Sequence, residues 1–308
     1  MNKFYAYKMD GLGNDFIIFD NREKSSLLSK DQIIKISDRN YIGCDQVIFI
    51  NKDKSGDPFL KFYNSDGGET TACGNGSRCV ASLLMKESGK KKITLKTKFK
   101  ILKAELNNKH IVNVNMGTPI FEWNKIPLVK KMNNKNLKIK INNIDGEEVL
   151  GGFSLSVGNP HLIFFVDNLN NFNLNKIGPQ LENHAYFPEK CNITLASVKN
   201  KKHVKVKVWE RGAGLTKACG TAACATTVAG SILGLNEKST NIEFPEGLLN
   251  IDWKEDNNIY MTGKVSEIDR SSKEVQISLN FEFNISLSIF CSSSFFPVAK
   301  KNLHFFIL

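Results

Sequence analysis

The sequence predicts an α+β protein of two pseudo-symmetric domains, each a mostly antiparallel sheet or barrel wrapped around one central helix. Three observations carry this expectation. A dozen-residue phrase occurs twice, ending in Cys73-Gly74 and again in Cys219-Gly220, 146 positions later. Short strand-like runs outnumber helices. Each copy of the phrase leads directly into a long helical pattern.

The two phrases match position by position. An aromatic stands ten residues before each cysteine (Tyr63, Trp209), glycine five before (Gly68, Gly214) and threonine three before (Thr70, Thr216). Alanine comes immediately before (Ala72, Ala218) and glycine immediately after. Two more blocks repeat in the same order: Gly13-Asn14-Asp15-Phe16 answers Gly158-Asn159-Pro160-His161, and Cys44-Asp45-Gln46-Val47-Ile48-Phe49 answers Cys191-Asn192-Ile193-Thr194-Leu195 with Gln46 against Asn192. A period this long indicates duplicated domains, since solenoid repeats run about 20 to 50 residues. The halves are expected at 1–118 and 119–263, the first completed by a segment near 264–276, with an added tail at 277–308. A fold with a pseudo-twofold axis would bring one cysteine from each half to a shared site.

Strands are expected at 16–19, 47–50, 59–63, 93–97, 111–115, 154–157, 162–166, 204–209 and 248–253, several with the alternation of a half-buried sheet. Ser29 is placed to cap a helix over 30–39, with Ile33, Ile34 and Ile36 as its apolar contacts. A second helix over 74–88 carries Val80, Leu83 and Leu84 on one face and stops at Gly89. The third, over 220–233, is apolar almost all round, the mark of a buried helix. Ile277, Leu279, Phe281, Phe283, Ile285, Leu287 and Ile289 alternate strictly with other residues, which predicts an amphipathic strand in the tail.

Composition narrows the class. At 308 residues and 41% hydrophobic, the chain can fill two ordinary cores. Its first motif begins at Gly11, no apolar run approaches the roughly 18 residues of a membrane span, and a cytoplasmic protein without signal peptide is expected. The net charge of +11 comes mainly from lysines scattered among asparagines in loops. A nucleic-acid surface would instead cluster arginine and aromatics on one element, so no nucleic-acid partner is expected. Seven cysteines, an odd number, point to free thiols. The Cys73/Cys79 and Cys219/Cys224 spacings and their helical setting do not fit a zinc knuckle, so no metal is expected. Cys79 and Cys224 read as small core residues.

Cys73 and Cys219 differ from these because each opens a helix. Unpaired N–H groups and the helix dipole favour an anion there, which would ease ionisation of a thiol from its ordinary pKa of about 8.5. The same N–H groups can hold a carboxylate. Two thiols on opposite faces of one carbon could remove a proton from one side and return one on the other, the chemistry of a racemase or epimerase.

With these residues in view, the chain resembles diaminopimelate epimerases. The resemblance rests on Gly11-Leu12-Gly13-Asn14-Asp15-Phe16, Gly43-Cys44-Asp45-Gln46, Cys73-Gly74-Asn75-Gly76 with Arg78-Cys79, and Val114-Asn115-Met116-Gly117. It continues through Gly158-Asn159-Pro160-His161, Glu210-Arg211-Gly212-Ala213-Gly214 and Ala218-Cys219-Gly220-Thr221, covering roughly residues 3 to 265. It implies interconversion of LL- and meso-diaminopimelate in lysine and peptidoglycan precursor synthesis without cofactor or metal, by a cytoplasmic homodimer. Cys73 and Cys219 would be acid and base. Gly74, Asn75, Gly220 and Thr221 would hold the carboxylate at the reacting carbon, while Asn64, Asn159, Asn192 and Arg211 grip the distal end. Asn14 and Gln46 would line the site, with His161 and Glu210 near the reacting ammonium. The chain departs from the family pattern at Ala222, where glycine is common, and in its continuation from Gly263 to Leu308. A proline racemase-like enzyme shares the two-cysteine logic and stays open as an alternative. A non-enzymatic thiol or basic binding protein is the alternative from a different class.

Overall fold

The run Phe16-Ile17-Ile18-Phe19 is apolar without alternation, a pattern that a strand buries only when both its faces are covered. The computed structural model describes residues 2–23, 27–70, 73–98, 100–108, 110–266 and 274–279, and both covers are among them. Ile17 and Phe19 pack with Ile33 and Ile36 of α1 (Lys30–Ser37), while Phe16 and Ile18 join the core around α2 (Gly74–Ser88). Strand Gln46–Lys52 divides the same way, with Val47 and Phe49 outward and Ile48 and Ile50 inward. In the second half, Leu162 and Phe164 pack with Ile177 and Leu181 of α3 (Leu174–Glu182), while Ile163 faces the core around α4 (Gly220–Ile232). Each such side chain contributes about 1.5–3 kcal/mol on full burial. The sheet is thus held between a central and an outer helix in both halves.

Strand order repeats with the sequence. In the first half Asp15–Asp20 runs parallel to Gln46–Lys52, which pairs antiparallel with Pro58–Asn64. That strand meets Lys92–Lys96 in parallel, and Ile101–Asn108 and Ile111–Asn115 follow antiparallel. In the second half Pro160–Phe165, Asn192–Asn200, His203–Glu210, Ser239–Phe244, Gly247–Trp253 and Ile259–Lys264 follow the same succession of parallel and antiparallel pairings. The two terminal strands, Ile111–Asn115 and Ile259–Lys264, pair antiparallel with each other, and Asn113 Nδ2 donates to Thr262 Oγ1 at 2.7 Å. One core cluster consequently runs through both halves, from Phe16 and Val80 to Val228 and Ile251.

Local signals set the helix ends. Ser29 Oγ accepts from the Gln32 N–H at 3.2 Å and the Gln32 side chain accepts from the Ser29 N–H at 2.8 Å, a full capping box. Extended Asp38 ends α1 at Ser37, two residues before the expected 39. Gly89 ends α2 at a φ of 68°, a left-handed conformation that costs glycine nothing. Ala222 lies buried inside α4 with ordinary helical backbone, so the family's glycine is not needed there. Helix α3 was not expected: Gly178-Pro179 inside it masks an apolar spacing at Leu174, Ile177 and Leu181.

Strand Asn2–Asp10 pairs with Asp15–Asp20 on one side and with Glu274–Leu279 on the other. A late strand thus adds to the sheet beside the first strand of the chain. Of the alternating run that begins at Ile277, only 277–279 fall among the described residues. Among the described residues no helix is long and apolar enough to cross a membrane.

Gly178 lets α3 lie flat on Trp209, since a Cβ there would stand 2.5 Å from Trp209 Cδ2 and 2.7 Å from Cγ. Gly178→Ala should cost about 1–3 kcal/mol through overpacking, measured as a lowered urea midpoint with unchanged m-value.

Candidate active site

The two repeated cysteines adopt one conformation. Cys73 caps α2 with φ −137° and ψ 113°, and Cys219 caps α4 with φ −136° and ψ 112°. Extended backbone at the N-cap sets the side chain over the first N–H groups of the helix. The glycine after each cysteine has a packing reason. A Cβ at Gly74 would stand 2.8 Å from Met261 Cε, and one at Gly220 would stand 2.8 Å from Met261 Sδ. Both helix N-termini thus close on the same methionine, next to the strand pairing that joins the halves. Asn75 ties them further, its Nδ2 donating to Ala218 O and to Asn14 Oδ1, each at 3.4 Å.

Both thiols open into one cavity of about 810 Å³. The structure brings Asn14, Gln46, Asn64, Gly74, Asn75, Asn159, Asn192, Glu210, Arg211, Gly220 and Thr221 to its wall together with Cys73 and Cys219. His161 is not on that wall. It is wholly buried behind Asn159, with Nε2 3.0 Å from Asn159 Oδ1. Burial, reinforced by the cations Arg211 and Lys100, pulls its pKa down to about 3. A neutral ring that donates to Asn159 orients the amide and does not line the cavity, which corrects the expected placement.

The expected easing of thiol ionisation is also corrected. Burial pushes the Cys73 thiol up to about 12, and the Gly76 N–H, which donates to Sγ at 3.3 Å, opposes this only in part. Desolvation of a thiolate outweighs one helix-mouth hydrogen bond. Cys219 is raised well above the ordinary thiol value by burial and then by the adjacent Glu210. Its S–H donates to Glu210 Oε2 at 3.0 Å, and Thr216 Oγ1 donates to Oε1 at 2.7 Å. Burial raises Glu210 as well, against the pull of those two hydrogen bonds. The two thiols are therefore unequal: Cys73 has an N–H donor, whereas Cys219 has a carboxyl partner.

Residues that the sequence did not single out hold this wall in place. Arg39 pairs with Asp15 at 2.7 Å and with Asp45 at 2.5 Å, and Asp45 accepts from Asn14 Nδ2 at 2.8 Å. Asn14 Oδ1 in turn lies 3.8 Å from Cys73 Sγ. Position beside Gln46 in a repeated block was the one available signal for Asp45. Glu182 had none. Its buried carboxylate accepts from Trp209 Nε1 at 2.7 Å and from the Gly212 N–H at 3.1 Å, clamping the turn that carries Glu210 and Arg211. Asn192 braces the same turn, its Oδ1 accepting from the Arg211 N–H at 3.0 Å while its Nδ2 donates to Pro160 O at 2.8 Å.

A fold of two such halves with a site at their junction defines a structural class that contains amino-acid epimerases and racemases. A predicted epimerase from Pseudomonas aeruginosa has a TM-score of 0.66 at 14% identity, covering 90% of this chain and 100% of that one. A hydroxyproline epimerase from Agrobacterium vitis, solved with trans-4-hydroxy-L-proline, has a TM-score of 0.63 at 11% identity, covering 91% of this chain and 94% of that one. Within the class, the family model for diaminopimelate epimerase matches residues 6–122 and 153–268. A diaminopimelate epimerase of Pelagibacter ubique is 55% identical over 274 residues, covering 89% of this chain and 98% of the relative. One from Acidiphilium cryptum is 38% identical over 260 residues, covering 84% and 92%. The chain belongs to the diaminopimelate epimerase family.

With both thiols raised, each is protonated at neutral pH and gains thiolate tenfold per pH unit as pH climbs toward its folded value. Iodoacetamide labelling of Cys73 should accordingly be slow at pH 7 and still rising at pH 10, followed by peptide mass spectrometry; a plateau near pH 8 would contradict the burial argument.

Proposed function

We propose that this protein interconverts LL- and meso-diaminopimelate by a two-base mechanism, with Cys73 and Cys219 as acid and base, in lysine and peptidoglycan precursor synthesis. One observation carries this: two cysteines in the same N-cap conformation, one from each half, open into one cavity. The alternative of proline-type substrates is disfavoured by family membership and by a wall with Arg211, Asn64, Asn159 and Asn192, a polar set suited to a second amino acid end.

The reacting carbon's carboxylate would sit at the two helix mouths, on the backbone of Gly74, Asn75, Gly220 and Thr221. There it neutralises the converging N–H groups, and the growing negative charge at the α-carbon is met by dipoles already aligned. One thiolate removes the α-proton and the opposite thiol donates its own, so each turnover exchanges the protonation states of the pair. Glu210 beside Cys219 supports a role in taking the Cys219 proton when that thiol is to act as base. His161 acts one step away, through Asn159. The reading includes a cytoplasmic homodimer, and light scattering at twice 34.5 kDa checks the assembly.

The test is proton NMR in D₂O with LL-diaminopimelate, chelator present and no pyridoxal phosphate. The α-proton signal should fall as the meso isomer appears; no exchange from folded protein would overturn the assignment. Cys73→Ala and Cys219→Ala should each lower epimerisation by at least about 10² to 10⁴. Glu182→Gln should raise KM and lower kcat together, because the clamp sets both Arg211 and Glu210. A change in thermal stability with unaltered kinetics would reduce Glu182 to a scaffold residue.

A further inference from the structure

Lys100 stands just before strand Ile101–Asn108, partly buried, with its ammonium turned inward. Nζ donates to Met116 O at 3.0 Å in the first half and to Val157 O at 2.5 Å in the second. Among the described residues it has no carboxylate partner. Removing an ammonium from water without a counter-ion is costly, and two carbonyl dipoles offset only part of that. Burial accordingly lowers its pKa from the ordinary lysine value, with Cys224 opposing.

The surroundings of this cation connect it to the site. Lys100 borders a chamber of about 20 Å³, enough for one water, whose wall it shares with Cys73, Ser77, Asn159 and Thr221. Ser77 Oγ is buried and has no partner. Gly158 gives the lysine its room: a Cβ there would stand 2.6 Å from Lys100 Cε and 2.8 Å from Nζ. The chain thus admits a cation at the junction of its halves, behind the thiol that caps α2.

We propose that Lys100 is a positioning residue for Cys73: its ammonium, fixed across the junction of the two halves, presents positive charge to the chamber behind that thiol and favours the thiolate. In a site partly screened from water such an attraction is stronger than in solution. Arg78 acts in the same sense from within α2, and Glu210 of the second half acts against it. Of the thiols, Cys224 of α4 feels Lys100 most, its pKa drawn down by that charge against the effect of burial, and His161 stays neutral beside it. The inference rests on Cys73 being one of the two reacting thiols.

Labelling of Cys73 by iodoacetamide across pH 7 to 11, read by peptide mass spectrometry with Cys219 as internal reference, tests the role without substrate. In Lys100→Met and Lys100→Gln the Cys73 profile should move to the alkaline side, slowing labelling at a given pH about twofold or more, and kcat/KM should fall with it. Lys100→Arg, which keeps the charge, should restore most of both. Should Lys100→Met fail to fold, Lys100→Gln decides, since it retains a donor for the two carbonyls. A folded uncharged variant whose Cys73 profile superimposes on the parent's overturns the proposal and leaves the epimerase reading untouched. Failure of the epimerase assay would leave the labelling result readable.

Discussion

The site depends on one close approach: two helix N-termini packed against the same methionine. Gly74 and Gly220 permit it, because a side chain at either would overlap Met261. Met261 is itself fixed by the strand pairing that joins the halves, opposite Val114. From that contact follow the shared cavity and the opening of both thiols into it. A helix mouth that holds one anion is common, and here two of them line one cavity.

That closeness has a cost in ionisation. The helix mouths favour a thiolate, but packing them together removes water, and for Cys73 and Cys219 burial outweighs the hydrogen bonds that would stabilise the anion. Three charged or ionisable groups stand near the thiols in unequal positions: Glu210 at Cys219, Arg78 within α2, and Lys100 on the wall of the chamber that Cys73 also lines. The pseudo-symmetry of the fold is therefore broken at the level of charge while the backbone keeps it, down to matching N-cap angles.

Supporting groups lie both on and beneath the wall. Asp45 holds Asn14, His161 turns Asn159, and Asn192 and Glu182 brace the Trp209 to Gly212 turn. Hydrogen bonds of this kind fix one geometry, since a rotated amide or a shifted turn would strand a buried donor away from water.

Much of this was legible in the residues. The repeated phrases located both cysteines, the apolar run at Phe16 to Phe19 and the all-round apolar Gly220 helix announced buried elements, and Ser29 and Gly89 marked helix ends, because periodicity and capping are local properties. Helix α3 was hidden by Gly178-Pro179, whose local preference is overridden when Ile177 and Leu181 bury against the sheet. What the amino-acid order determined by itself was the duplication, the central helices and the chemistry of two thiols. Which polar residue faces the cavity and which stands behind it, as His161 and Glu182 do, was decided only by tertiary structure. So was the direction in which each thiol shifts, because burial and field depend on what the rest of the chain packs over a group.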